Sequence, residues 1–261
     1  MNCLFEANVQ QKIVLADQSI SLAFANSSCC MNLVPENPGR DVQVLLPQFH
    51  PNKKGLSTKE GQARLLHDLA SIELQAYELA MRTLYEYPDA PEAFREELAL
   101  LAKSESEHLK LCLDGLESLG YKWGDWPVHL SLWQSVSSSE SLLDRILIVH
   151  RYLEGSGLDA GNQLLRRLNG VSAGITYPIL HKINTEEIDH VQFGSKWYRT
   201  IAKNEGLDPE VDFPQRLLKL RFQLPKRIEK INYELRKQAG FDDIEIGHLQ
   251  KLRESFLNPL C

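Results

Sequence analysis

No stretch of this 261-residue chain holds the ~20 unbroken apolar residues that a membrane-spanning helix needs. The first 30 residues show no positively charged start followed by a long apolar run. Asn2, Glu6, Gln10, Gln11, Lys12 and Asp17 interrupt every short hydrophobic stretch there, which predicts no secretory signal. Cysteine is scarce. Cys3, Cys29, Cys30, Cys112 and Cys261 form an odd set without framework spacing, which argues against a disulfide scaffold and suits free thiols in a reducing cytoplasm. The adjacent Cys29 and Cys30 invite a redox reading, but two unpaired small residues in an irregular arm is the preferred one. Positive charge is in deficit: 29 Lys and Arg stand against 35 Asp and Glu, a net charge of -6. That balance argues against a dedicated, electrostatically driven nucleic-acid binder and leaves room only for a local basic patch. Low-complexity tracts are absent.

What remains is the composition of an ordinary globular protein, with 43% hydrophobic and 25% charged residues. The length suffices for a sizeable core. Residues 1–55 read as an irregular N-terminal arm packed on the rest, because Asn, Ser, Pro and Gly punctuate short apolar runs such as Ile13 to Leu15. Val42 to Leu46 reads as a short strand or extended arm.

Residues 56–206 carry a strong helical signal, with apolar residues recurring at steps of three and four. The first helix is expected from about Ser57, a candidate N-cap, to about Tyr87, just before Pro88. The second opens at Pro91 and ends at Gly120. The third runs from near Ser139 to Gly170 and the fourth from about Thr176 to Gly206. Each would be about 45 Å long at the standard rise per residue. Four such helices predict an all-α four-helix bundle. Residues 207–261 form a C-terminal helical extension. Its stretch 215–237 holds eight Lys and Arg against two Glu, Pro225 splits that stretch, and a last helix is expected near Asp243 to Phe256.

The chemistry sits in the bundle. The second helix contains Glu105-Ser-Glu-His108 and the fourth contains Glu187-Ile-Asp-His190. Residues three apart share a helix face, so each carboxylate and imidazole can ligate one ion together. Both pairs fall on core-facing stripes: Leu98, Leu101, Glu105, His108, Cys112 in one helix and Ile183, Glu187, His190, Gly194, Trp197 in the other. Glu107, Glu186 and Asp189 fall off the stripes and are expected in solvent. Glu73 lies in phase on the first helix, and Glu154 on the third. Lone buried carboxylates are costly, so four of them with two His call for a shared cause. Two divalent cations supply one. A Glu from each of two helices plus Glu-x-x-His from each of the other two is the ligand set of dinuclear carboxylate bundles. Carboxylate and imidazole donors without thiolates suit iron, with manganese as the alternative, and disfavour structural zinc.

In these stretches, "LLHDLASIELQAYELA", "SESEHLKL", "HRYLEGSGLDAG" and "EEIDHVQFGSKWY", the chain resembles the ferritin-like superfamily. Within it, the chain is similar to a bacterial family carrying a domain of unknown function. The resemblance covers about residues 57–205. It implies a metal-binding four-helix core of the di-iron carboxylate type, with Glu73, Glu105, His108, Glu154, Glu187 and His190 matching the ligand pattern, and it implies no reaction.

Three further residues are candidates for steering the ligands. His150 stands one turn before Glu154 and reads as a satisfied core histidine, a neighbour of the ligands or a seventh ligand. Tyr77 stands one turn after Glu73 and reads as packing or as a redox-active neighbour. Asp159 is a candidate hydrogen-bond acceptor for a ligating His. Gly155 and Gly157 flank Glu154, and two helix-interior glycines there point to a close approach or a distorted turn. Trp123, Trp126 and Trp133 are expected to plug one bundle end or to cover the site.

The leading expectation is an O2-dependent oxidase or oxygenase acting on a small organic substrate with an electron donor. A non-catalytic iron-storage or sensing protein is the alternative, and a tRNA-modifying hydroxylase is a third reading that the basic stretch keeps open. A homodimer is compatible with the sequence.

Overall fold

The structure is a computed structural model of the chain, and it describes residues 2–25 and 33–257. Cys29, Cys30 and Cys261 lie outside the described residues. The described residues are helical and contain no strand. No helix among them is long and apolar enough to cross a membrane. The chain divides into two compact units, residues 1–134 with 167–179 and residues 135–166 with 180–261.

The first unit is built on two long helices, α3 (Lys59–Glu86) and α4 (Glu92–Ser118). Thr58, not Ser57, caps α3: its side chain accepts from the Gly61 N–H at 3.0 Å, one of the orphan donors that every helix start presents. Pro91 occupies the N-cap position of α4, and Gly120, at φ 72°, follows its end. The apolar stripes Leu66, Ala70, Leu74 on α3 and Leu98, Leu101, Ala102 on α4 are buried.

The N-terminal segment departs from the irregular arm expected of it. It forms two short helices, α1 (Val9–Val14) and α2 (Ala16–Ala25), packed on α3 and α4. Lys12 explains why. Its Nζ is fully buried, 2.7 Å from Glu78 Oε1 on α3 and 2.9 Å from the Cys3 carbonyl, while Arg40 grips the same carboxylate at 2.6 Å. A buried ion pair docks the segment together with the buried Leu4, Val9, Ala16 and Ala23. Val44 makes an isolated parallel bridge with Val128, so the expected strand shrinks to one rung.

In the second unit, the third helical stretch is not one α-helix. It runs as α5 (Leu142–Ile146), a π-helical segment at Leu147–Glu154, and α6 (Gly155–Asn169). Its start is a capping box between Ser141 and Asp144, two residues past the expected Ser139. Helix α7 spans Thr176–Asn204. The C-terminal extension supplies α8 (Pro209–Leu220), α9 (Tyr233–Gln238) and α10 (Asp243–Leu257), with Pro225 in the non-helical stretch between α8 and α9.

Arg151, fully buried, knits this unit together. It bonds Glu245 Oε1 of α10 at 2.8 Å and lies over the rings of Phe213 at 4.5 Å and Phe241 at 4.3 Å. Burial holds its guanidinium below the usual pKa, and the Glu245 carboxylate opposes that shift. Arg216 of α8 bonds Asp144 at 2.6 Å, and Lys219 reaches the same carboxylate at 3.1 Å.

Candidate metal centre

In the first unit, α3 supplies Glu73 and α4 supplies Glu105 and His108. All three are buried, at 5%, 0% and 1% exposure, and such groups demand compensation. His108 Nδ1 lies 3.4 Å from Glu73 Oε2 and 3.7 Å from Glu105 Oε2. Those separations exceed a good N–H···O bond. They approach the ~3–3.5 Å expected between donors that share one cation at metal–ligand distances near 2.1 Å. The i,i+3 spacing on α4 brings Glu105 and His108 together without local distortion. Cys112 follows on the same stripe, fully buried. Burial pushes its thiol well above the usual range, and the Glu73 carboxylate adds to the shift.

In the second unit, Glu154 closes the π-helical segment, and Nδ1 of His150 within it is hydrogen-bonded to Glu154 Oε1 at 2.8 Å. His150 is 0% exposed, its ring meets Phe193 edge-on at 5.0 Å, and its Nε2 has no hydrogen-bond partner among the described residues. On α7, His190 Nδ1 lies 3.1 Å from Glu187 Oε1, with His190 buried and Glu187 half-buried. Gly194, the next residue on that stripe, makes room for the π segment: a Cβ there would stand 2.5 Å from His150 Cβ.

Glu105, His108, Glu187 and His190 make up a Glu/His group that could hold a metal ion. Their chemistry fits one, since carboxylate and imidazole are donors that iron and manganese accept. The residues expected in solvent behave accordingly: Glu107 and Asp189 are exposed, and Glu186, half-buried, pairs with Lys182.

The three candidate ligand-steering residues meet different fates. His150 touches Glu154. Tyr77 is buried beside Cys3 and Tyr85, and burial raises its phenol far above the usual value. Asp159 is taken by Arg236 and Arg253, each at 2.8 Å, and by the Asn232 N–H at 2.8 Å. The tryptophans of the α4–α5 connection pack within the first unit. Trp123 stacks on His67 at 4.9 Å and Trp126 meets it edge-on at 5.4 Å, while Trp133 is buried under Arg82. His67, 0% exposed, is pushed down to about 4 by burial.

Sequence reasoning missed the buried ion pairs at Glu78 and Asp159, because nothing in the local pattern marks Lys12, Arg40, Arg236 and Arg253 as buried. The faint signal was Gly155. A Cβ there would stand 2.1 Å from Arg236 Nη1, so the close approach expected of that glycine is made by a guanidinium of the C-terminal extension.

The sequence profile of a family described as a protein of unknown function (DUF455) matches residues 5–247. A curated relative from Haemophilus influenzae, described as an uncharacterized protein, is 32% identical over 229 residues, covering 85% of this chain and 77% of its own. No solved structure matches the chain. Buried Glu and His with a metal-ligand pattern are thus features of a chain that belongs to the DUF455 family.

Proposed function

We propose that the chain is a metal-binding protein with a ferritin-like four-helix core formed by α3, α4, the 142–169 stretch and α7. In this reading Glu73, Glu105, His108, Glu154, Glu187 and His190 hold two divalent ions, iron first and manganese second. The observation that carries it is the Glu/His group of Glu105, His108, Glu187 and His190, two Glu-x-x-His pairs with three of the four side chains buried. Charge supports the count of ions. Four carboxylates carry a charge of about -4, which two divalent cations offset, and the imidazoles add donors without adding charge.

The most specific function in keeping with such a centre is an O2-dependent oxidase or oxygenase acting on a small organic substrate, fed by an electron donor. The bound metal pair would supply the O2 chemistry. The chain's own part is geometric. Glu105 and His108 are set by one turn of α4. His150 Nδ1 contacts Glu154 Oε1 and so sets the direction of that carboxylate. Leu66 and Leu101, on the stripes of Glu73 and Glu105, and Ile183 and Trp197, on the stripe of Glu187, are buried, so each helix presents its ligands from an apolar face. Iron storage or sensing uses the same ligands without a substrate and is separated from the oxidase reading by turnover of O2.

Binding of tRNA receives less support. Of the cations in 215–237, Arg216, Lys219, Arg236 and Lys237 are already bound to carboxylates, so less free positive charge remains for phosphates than the count suggests.

The test is metal content and the optical spectrum after anaerobic loading with Fe(II) or Mn(II), then exposure of the iron form to O2. The reading expects about two ions per chain, a charge-transfer band on oxidation, and loss of both in Glu105→Ala and His190→Ala. Absence of stoichiometric metal in the wild type would overturn it.

A further inference from the structure

The C-terminal extension places a buried arginine against the turn that carries Glu154. We infer that Arg236 is a positioning residue for this part of the metal centre: its guanidinium holds the π-helical turn open and so fixes where Glu154 and His150 stand. The inference rests on the reading of Glu154 as a metal ligand.

A π-helical segment is wider than an α-helix and rare, and it persists only where its surroundings over-determine it. The hydrogen bonds around residues 151–156 show what does so here. In an α-helix the Arg151 carbonyl would accept the Gly155 N–H. In this chain the Gly155 N–H bonds back to the Tyr152 carbonyl, and the Arg151 carbonyl accepts from Arg236 Nη1 at 3.0 Å. The guanidinium thus satisfies a carbonyl whose α-helical donor, the Gly155 N–H, is engaged three residues back instead. Arg253 supports the same turn, reaching Ser156 Oγ at 3.2 Å, while Ser156 Oγ donates to the Tyr152 carbonyl at 2.6 Å.

Arg236 is held where it must be. It is 0% exposed, its Nη2 bonds Asp159 Oδ2 at 2.8 Å, and Phe241 lies against it at 5.0 Å. Asp159 is itself anchored by Arg253 and the Asn232 N–H. Gly155 completes the fit, since a Cβ would stand 2.1 Å from Nη1 and 2.7 Å from Cζ. A glycine in a helix interior, costly by about 1 kcal/mol relative to Ala, and a buried arginine about eighty residues later thus serve one contact.

The contact bears on the site because the His150–Glu154 hydrogen bond spans this turn. Relaxation to α geometry would change the angle between the two side chains by tens of degrees, on the order of the difference between 3.6 and more than four residues per turn.

The test uses the full chain with Arg236→Gln, Gly155→Ala and the double variant. Arg236→Gln leaves Asp159 bound to Arg253, so no buried carboxylate is orphaned and the fold is retained. Gly155→Ala displaces the guanidinium without removing it. Backbone amide exchange is measured on the metal-free protein, and Fe(II) and Mn(II) affinity on the reconstituted one. Each single variant is expected to raise exchange in peptides spanning 147–158 while α3 and α4 stay unchanged. Each is expected to weaken metal binding by about tenfold or more. The double variant should be no worse than the worse single, because both act on one contact. Arg236→Lys should recover part of the affinity. Wild-type exchange at 147–158 in folded variants, or additive effects, would overturn the inference. If exchange rises as expected but the wild type binds no metal, the role of Arg236 in the turn stands and the metal reading falls. If the wild type binds metal and the variants bind it equally with unchanged exchange, the positioning role alone falls.

Discussion

The two units bring their candidate ligand residues into place by different means. In the first, Glu73, Glu105 and His108 sit on regular α-helices, and helical periodicity alone sets their spacing. In the second, Glu154 and His150 sit on a π-helical turn flanked by two glycines and braced by arginines from far along the chain. A regular helix needs no outside help to present ligands. An irregular one needs partners that define it, and here they come from the extension beyond residue 206. The C-terminal helices therefore contribute buried arginines to the core of the second unit.

Removing the central carboxylate of each unit sharpens that comparison most. Glu78→Gln leaves Lys12 and Arg40 buried without a counter-charge, and Asp159→Asn does the same to Arg236 and Arg253. Each is expected to cost about 3–5 kcal/mol in chemical denaturation. Only Asp159→Asn should also weaken metal binding, because only it releases the π-helical turn. Equal effects on metal binding would break the distinction between the units.

Gly194→Ala comes next. Its Cβ would stand 2.5 Å from His150 Cβ and 3.2 Å from the His150 backbone carbon, so the neighbour that must yield is main chain. Overpacking of this kind is expected to cost roughly 1–3 kcal/mol, measured by urea unfolding, with loss of metal affinity beyond what the stability change explains.

The first of these contrasts also shows where the sequence was readable. The ends of α3, α4 and α7 and the stripes bearing Glu105–His108 and Glu187–His190 follow from 3.6-residue periodicity and from Pro91, Gly120 and Gly206 as punctuation. The π segment was hidden because apolar residues surround His150 on every side (Leu147, Ile148, Val149 and Leu153), so a shift of helical register leaves the pattern almost unchanged. Helices α1 and α2 were hidden because six and ten residues fall below the length at which helices hold by themselves, and their docking depends on Lys12, whose burial no periodicity reveals. Arg236 was hidden for the same reason. In a run rich in Lys and Arg, nothing local distinguishes the one arginine that is fully buried.

The smallest expected effect concerns pH. His67 is neutral in the folded first unit because burial lowers its pKa to about 4, whereas in the unfolded chain it titrates at its ordinary 6.5. Its contribution is fully present above the unfolded value and is lost as pH falls from 6.5 toward 4, since the unfolded chain then binds the extra proton. Stability should drop by roughly 1 kcal/mol between neutral pH and pH 5.5, and His67→Gln should flatten that slope. An unchanged slope in the variant would mean that another group sets it.

The central claim is most directly tested by anomalous diffraction from crystals loaded anaerobically with Fe(II), with data collected on both sides of the iron edge. The account predicts about two iron peaks per chain, both within ligating distance of donors among Glu73, Glu105, His108, Glu154, Glu187 and His190. Crystals that show no iron at these residues, or iron bound only elsewhere, would contradict it.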